Sequence, residues 1–213
     1  MKRQAGYQRR PGRGSAGARG GGQVRIVAGE LGGRRLRVAT APGLRPTPER
    51  TRETLFNWLQ GRVRDARVLD LFAGTGALAF EALSRGAAEA VLVERHRAAL
   101  AALREAVAEL APDRARLVAG DAIGWLQRAG DAGAFDLAFL DAPFAGDLAG
   151  RALLALTDSA LLAPEARVYV EWPTAATPPF DTAAWTVLKT TRAGDSTGAL
   201  LTRTGPEGAA TAV

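Results

Sequence analysis

The chain has 213 residues, enough for one α/β domain with a sizeable buried core and too few for two large ones. It has no cysteine and a single histidine, His96, which excludes disulfides, thiolate metal sites and multi-histidine clusters. The net charge of +6 is concentrated at one end: Lys2, Arg3, Arg9, Arg10, Arg13 and Arg19 lie in residues 1–23 without an acid, and residues 24–60 hold seven arginines against Glu30, Glu49 and Glu53.

Such an asymmetry suits a polyanionic partner, because basic side chains neutralise phosphates and release counterions. Compositional bias is the competing explanation, since 26 arginines stand against two lysines. No window approaches the roughly 18 apolar residues of a membrane span, and no apolar run follows the charged start. A cytoplasmic monomer is expected.

Residues 1–23 are rich in glycine and arginine and have no apolar periodicity, so a disordered tail is predicted. Two strand-like runs, 24–28 and 34–38, flank Gly32-Gly33 and predict a basic β-hairpin. Thr47 then reads as a helix cap with Pro48 at the first helical position, and Leu55, Phe56 and Leu59 form an apolar stripe. Residues 24–60 are thus a hairpin and a covering helix.

From Arg67 onward strands alternate with helices in a βαβ rhythm. Strands are predicted over 67–72, 89–93, 114–118, 135–140 and 167–171, and helices over 77–85, 97–110, 122–129 and 148–157. Residues 185–191 and 198–203 read as a closing antiparallel pair. The fold class is therefore α/β, a mostly parallel seven-stranded sheet with helices on both faces. It occupies residues 61–204, and 205–213 form a flexible C-terminus.

The sharpest local feature is Asp70-Leu71-Phe72-Ala73-Gly74-Thr75-Gly76-Ala77-Leu78, a strand entering a glycine turn and then a helix. Glycines let the backbone approach a ligand, and the helix start offers free N–H groups to an anion. Gly74, Gly76 and Ala79 also satisfy the dinucleotide fingerprint, so a nicotinamide oxidoreductase is one alternative. Asp70 and Phe72 favour an amino-acid-bearing cofactor instead, because an acid at that strand end repels pyrophosphate but accepts from an ammonium. Glu94 ends the next strand and can receive ribose hydroxyls, while Asp121 and Ala122 follow the third and can meet an adenine edge. Together they outline an adenosine pocket.

The fourth strand ends in Asp141-Ala142-Pro143-Phe144. An aromatic amine is a poor nucleophile because its lone pair is delocalised, so a site must align the nitrogen and accept its protons. Asp141 and the carbonyl of Ala142 can do both, Pro143 shapes the turn, and Phe144 can stack on a base. The competing reading is a plain turn in which Pro143 stops the strand and Phe144 fills a core gap. His96, at a helix start beside Glu94, reads as a surface or cofactor-rim residue without a catalytic role.

These residues resemble the bacterial 16S ribosomal RNA guanine-N2 methyltransferases of the RsmD type. The likeness runs through Arg25-Ile26-Val27-Ala28-Gly29, Gly33-Arg34-Arg35-Leu36, Leu44-Arg45-Pro46-Thr47-Pro48-Glu49-Arg50, Arg52-Glu53-Thr54-Leu55-Phe56-Asn57-Trp58-Leu59, the glycine loop and Glu81-Ala82-Leu83-Ser84-Arg85-Gly86-Ala87. It covers about residues 24–204, with 45–59 the most specific block. The resemblance implies a Rossmann-like class I methyltransferase fold, S-adenosyl-L-methionine as cofactor, no metal, and a flipped guanine of 16S rRNA or the small ribosomal subunit as acceptor, of the guanine 966 type. One position departs from the family pattern, which has two prolines after the catalytic aspartate; here the first is Ala142.

Arg34, Arg35, Arg45, Arg50 and Arg52 are the candidates for RNA backbone contact, with pairing to acids inside the fold as the alternative for Arg50 and Arg52. A non-catalytic RNA-binding or ribosome-assembly factor is the rival from another class, supported by Ala142.

Overall fold

The computed structural model describes residues 22–39, 47–130, 133–157 and 159–205. The tail predicted over residues 1–23 is outside the described residues up to position 21, as is the C-terminal segment from 206 onward. The N-terminal unit comprises strands β1 (Gln23–Arg25) and β2 (Arg35–Arg37) and helix α1 (Glu49–Trp58). The α/β part follows as β3 (Arg67–Asp70), α2 (Ala77–Ser84), β4 (Glu89–Glu94), α3 (Arg97–Leu110), β5 (Ala115–Ala119), α4 (Ala122–Leu126), β6 (Phe135–Leu140) and α5 (Leu148–Thr157). It closes with β7 (Leu162–Pro173), β8 (Trp185–Ala193) and β9 (Ser196–Arg203). Among the described residues no helix is long and apolar enough to cross a membrane.

Uninterrupted apolar runs such as Phe135–Leu140 need cover on both faces, and they become interior strands. The seven-stranded sheet has the order β5-β4-β3-β6-β7-β9-β8. Its first five strands are parallel, while β9 runs antiparallel to both β7 and β8. From β3 the chain winds outward to β4 and β5, then returns to lay β6 on the other side. That reversal makes a topological switch point at the C-terminal ends of β3 and β6, the place where ligands of open α/β sheets bind.

Strand alternation sends Val68, Leu92, Leu137, Phe139, Tyr169 and Leu200 to one face, where they pack on α1, α2, α3 and the hairpin. Leu69, Val91, Val93, Ala138, Leu140, Val168 and Leu201 face α4 and α5. The two cores sandwich the sheet.

The hairpin is fastened to α2 by polar groups. Glu81 accepts from Val27 N–H at 2.7 Å and Ala28 N–H at 3.2 Å, and Ser84 Oγ accepts from Leu31 N–H at 2.9 Å. Gly29 has φ +85° and touches this helix so closely that a Cβ would lie 1.9 Å from the Ser84 carbonyl oxygen. Past β1, Ile26 still bonds across the hairpin to Arg34 and Gly33, whereas Val27, Ala28, Glu30 and Leu31 bond to α2, and β1 and β2 are accordingly shorter than the runs 24–28 and 34–38 suggest.

Thr47 does not cap α1. Pro48 occupies the cap position without a side-chain hydrogen bond, and the Thr47 hydroxyl is directed elsewhere. The other departures are at ends: α4 stops at Leu126, and β7 begins at Leu162, pairing with Phe135 across a register shift.

Candidate active site

Asp70 ends β3, and the chain turns through Phe72, half-buried, and two left-handed glycines before α2 begins. Gly74 has φ +53° and Gly76 φ +78°. At Gly76 a Cβ would come within 2.8 Å of the Leu103 and Phe80 side chains, so the residue cannot be enlarged without moving the core. Glu94, 8% exposed, shapes this loop from the end of β4. Its Oε2 accepts from Gly74 N–H at 2.7 Å, and its Oε1 accepts from Arg95 and His96 N–H at 2.8 and 2.6 Å. Oε1 thus accepts two N–H bonds and Oε2 one, which leaves an acceptor position open on Oε2.

Asp121 caps α4, its Oδ2 accepting from Gly124 N–H at 2.9 Å, and the residue is exposed. Ala122 opens that helix and is buried. His96 is an exposed residue at the start of α3.

Three carboxylates share the α1 side of the sheet. Asp70 follows Val68 by two residues, Asp141 follows Phe139, and Glu171 follows Tyr169, which places all three on that face. Asp70 is level with Phe139, and Phe139 with Tyr169, so Asp141 and Glu171 stand one rung further toward the strand ends. Burial pushes Asp70 up to about 7, and the Glu94 charge adds to the rise against N–H groups of Ala79 and Phe72. Burial pushes Asp141 up to about 8, with the charges of Glu171 and Asp70 in the same sense and the Thr47 hydroxyl opposing them. That hydroxyl donates to Asp141 Oδ2 at 2.5 Å.

Beyond Asp141 the chain passes from the core to solvent. Ala142 is buried, Pro143 is exposed and the Phe144 ring is 51% exposed. The core-filling alternative for Phe144 therefore fails, and an apolar ring stands open beside an acid of high proton affinity. Thr47 and Glu171 join this site without having been expected there from the sequence. Glu171 had a signal, a lone acid within the apolar run Val168–Trp172; Thr47 had none beyond its suitability as a cap.

The arginines divide. Arg35 bonds Gln23 Oε1 at 3.1 Å and is exposed, as is Arg50 in the first turn of α1. Arg34 is exposed and paired with Glu109. Arg52 is 1% exposed and lies 3.5 Å from Glu81, so the internal-pairing alternative holds and it presents no donor to RNA. Arg45 lies outside the described residues.

The family model described as conserved hypothetical protein 95 matches residues 24–202. The chain is 46% identical over 152 residues to ribosomal RNA small subunit methyltransferase D of Escherichia coli strain K12, which covers 71% of this chain and 76% of that protein. It is 39% identical over 171 residues to the protein of the same name from Haemophilus influenzae, covering 79% and 88% respectively. Among solved structures, yhhF from Escherichia coli superposes with a TM-score of 0.77 at 39% identity, over 85% of this chain and 98% of that one.

Proposed function

This chain belongs to the family described as conserved hypothetical protein 95, and from that premise we propose that it is an S-adenosylmethionine-dependent ribosomal RNA methyltransferase that modifies the exocyclic N2 amine of a guanine in 16S rRNA. The relatives' name supports the substrate class and the transferred group. The observation that carries the chemistry is the pairing, at the sheet's reversal point, of an acid of raised proton affinity, Asp141, with the open ring of Phe144.

The donor set fits the cofactor. When ionised, Asp70, Glu94 and Asp121 offer acceptors at three strand ends, which suits an ammonium, a ribose hydroxyl and an adenine amino group. The same carboxylates would repel a pyrophosphate, which disfavours the nicotinamide alternative. When bound, S-adenosylmethionine supplies an electrophilic methyl group on sulfonium sulfur, and its transfer leaves a neutral thioether.

The chain's own residues then have distinct tasks. Phe144 stacks on a base turned out of its helix, and Asp141 accepts one N–H of the amine while the Ala142 carbonyl accepts the other. Both contacts aim the nitrogen lone pair at the methyl carbon, and Asp141 takes the proton released as the N–C bond forms. Arg35 and Arg50, with Arg34 and Arg45, are the proposed phosphate contacts of the 24–60 unit. The protein is proposed to act as a monomer in the cytoplasm.

The test is methyl transfer from radiolabelled S-adenosylmethionine to unmodified small-subunit particles and to naked 16S rRNA, followed by nucleoside analysis. N2-methylguanosine is the expected product. Tight RNA binding with no methyl incorporation on either substrate would favour the non-catalytic assembly factor.

A further inference from the structure

We infer that Glu171 is a positioning residue for this reaction, a buried carboxylate clamped by Tyr169 and Ser196 on the strand beside Asp141, where it holds a second negative charge behind that acid. The inference rests on the proposed role of Asp141 as the acid facing the amine.

The geometry around Glu171 is built, not incidental. It is 5% exposed, and both of its oxygens are occupied: Oε1 accepts from the Tyr169 hydroxyl at 2.8 Å and Oε2 from Ser196 Oγ at 2.7 Å. Burial pushes the Tyr169 phenol far above its ordinary value, so it remains a donor. Register places the clamp. Leu140 pairs with Val170 in the parallel β6–β7 ladder, so Asp141 and Glu171 are the next residues on neighbouring strands. Glu171 pairs in turn with Gly198 on β9, where a Cβ would lie 2.4 Å from the Tyr169 hydroxyl oxygen. The glycine thus leaves the space that the phenol occupies.

A carboxylate in such a place is costly to desolvate, and its two hydrogen-bond partners are neutral hydroxyls, which hold it without cancelling its charge. The charge therefore reaches Asp141. The groups facing Asp141 are Thr47 from ahead of α1, Asp70 from β3 and Glu171 from β7; those facing Glu171 are Tyr169, Ser196 and Asp141. Of the acids acting on Asp141, Glu171 has the larger effect. Methylation moves positive charge from sulfur to the amine nitrogen. A second fixed negative charge behind Asp141 attracts that charge and makes Asp141 a better acceptor of the departing proton.

The test combines single-turnover methyl transfer across pH with carboxyl carbon NMR titration of Asp141, on the full chain. In Glu171→Gln the Asp141 midpoint should fall by at least one pH unit, the rising limb of the rate profile should move down with it, and the limiting rate should drop at least tenfold. Cofactor affinity should stay within twofold. Ser196→Ala and Tyr169→Phe should move both midpoints in the same direction by less, and they decide the matter if Glu171→Gln does not fold. A wild-type midpoint and profile in these variants would overturn the inference. Full turnover by Asp141→Ala would instead overturn the underlying site assignment, whereas an inactive Asp141→Ala beside an unaltered Glu171→Gln would overturn the inference alone.

Discussion

Thr47 Oγ1 donates to Asp141 Oδ2 at 2.5 Å, joining residues 94 positions apart. Two residues ahead of α1, Thr47 brings a hydroxyl from the N-terminal unit to the acid at the end of β6. The donor favours the ionised carboxylate, in opposition to burial and to Glu171. Removing it in Thr47→Val should raise the proton affinity of Asp141 further and leave less of the base available near neutrality. Hydrogen bonds to charged groups contribute about 1.5–3 kcal/mol, so single-turnover methyl transfer at pH 7.5 should fall by roughly ten- to a hundredfold. Thr47→Ser should retain most of the rate. The same pH–rate profile in Thr47→Val and wild type would show that this contact is idle.

Asp70 makes stability and cofactor affinity depend on pH in opposite senses. Its folded-state value of about 7 lies above the ordinary 3.8, so between those values the folded chain holds a proton that the unfolded chain has lost. Stability should therefore fall as pH rises from about 4 to 7 and be insensitive to this group below that window. The ammonium of a bound cofactor favours ionised Asp70, so its affinity should rise as pH passes through 7. Urea unfolding and calorimetry at pH 5.5 and 8 should show both trends, and Asp70→Asn should flatten both. Undiminished pH dependence of binding in Asp70→Asn would place the ammonium elsewhere.

Glu81 is the hub between α1, α2 and the hairpin. Fully buried, it accepts from Val27 and Ala28 N–H, from Arg52 at 3.5 Å and from Arg85 Nε at 2.8 Å, while the Arg85 guanidinium lies 4.9 Å from the Phe56 ring centroid. Glu81→Ala strands a buried Arg52 and should destabilise the chain by about 3–5 kcal/mol in chemical denaturation. A loss below about 1 kcal/mol would mean that Arg52 finds water or another acid.

Phe144 should separate binding from folding. With half of its surface exposed it contributes little to the core, so Phe144→Ala should unfold at the wild-type denaturant midpoint. Loss of a stacking platform costs about 1–3 kcal/mol per base, which predicts a roughly 5- to 150-fold weaker apparent affinity for the RNA substrate at unchanged cofactor affinity. An unaltered RNA affinity would point to another aromatic as the platform.

Periodicity along the chain was enough to define the elements that bury a continuous stripe. The runs 97–110, 135–140 and 148–157 match α3, β6 and α5 to the residue, because helix and strand periods are local properties of ten residues or so. The glycine loop and the acids ending β3, β4 and β6 were legible for the same reason, since strand, turn and helix follow one another along the chain. Partners were not. Thr47 looked like a cap and instead holds Asp141, Arg52 was open between RNA and an internal acid until Glu81 came beside it, and Glu171 carried no role until β6, β7 and β9 became neighbours. Each of these depends on which strands lie side by side and which helix covers them. A side chain's local pattern records whether it is buried, but the group it meets there is set by packing between segments that are distant in sequence.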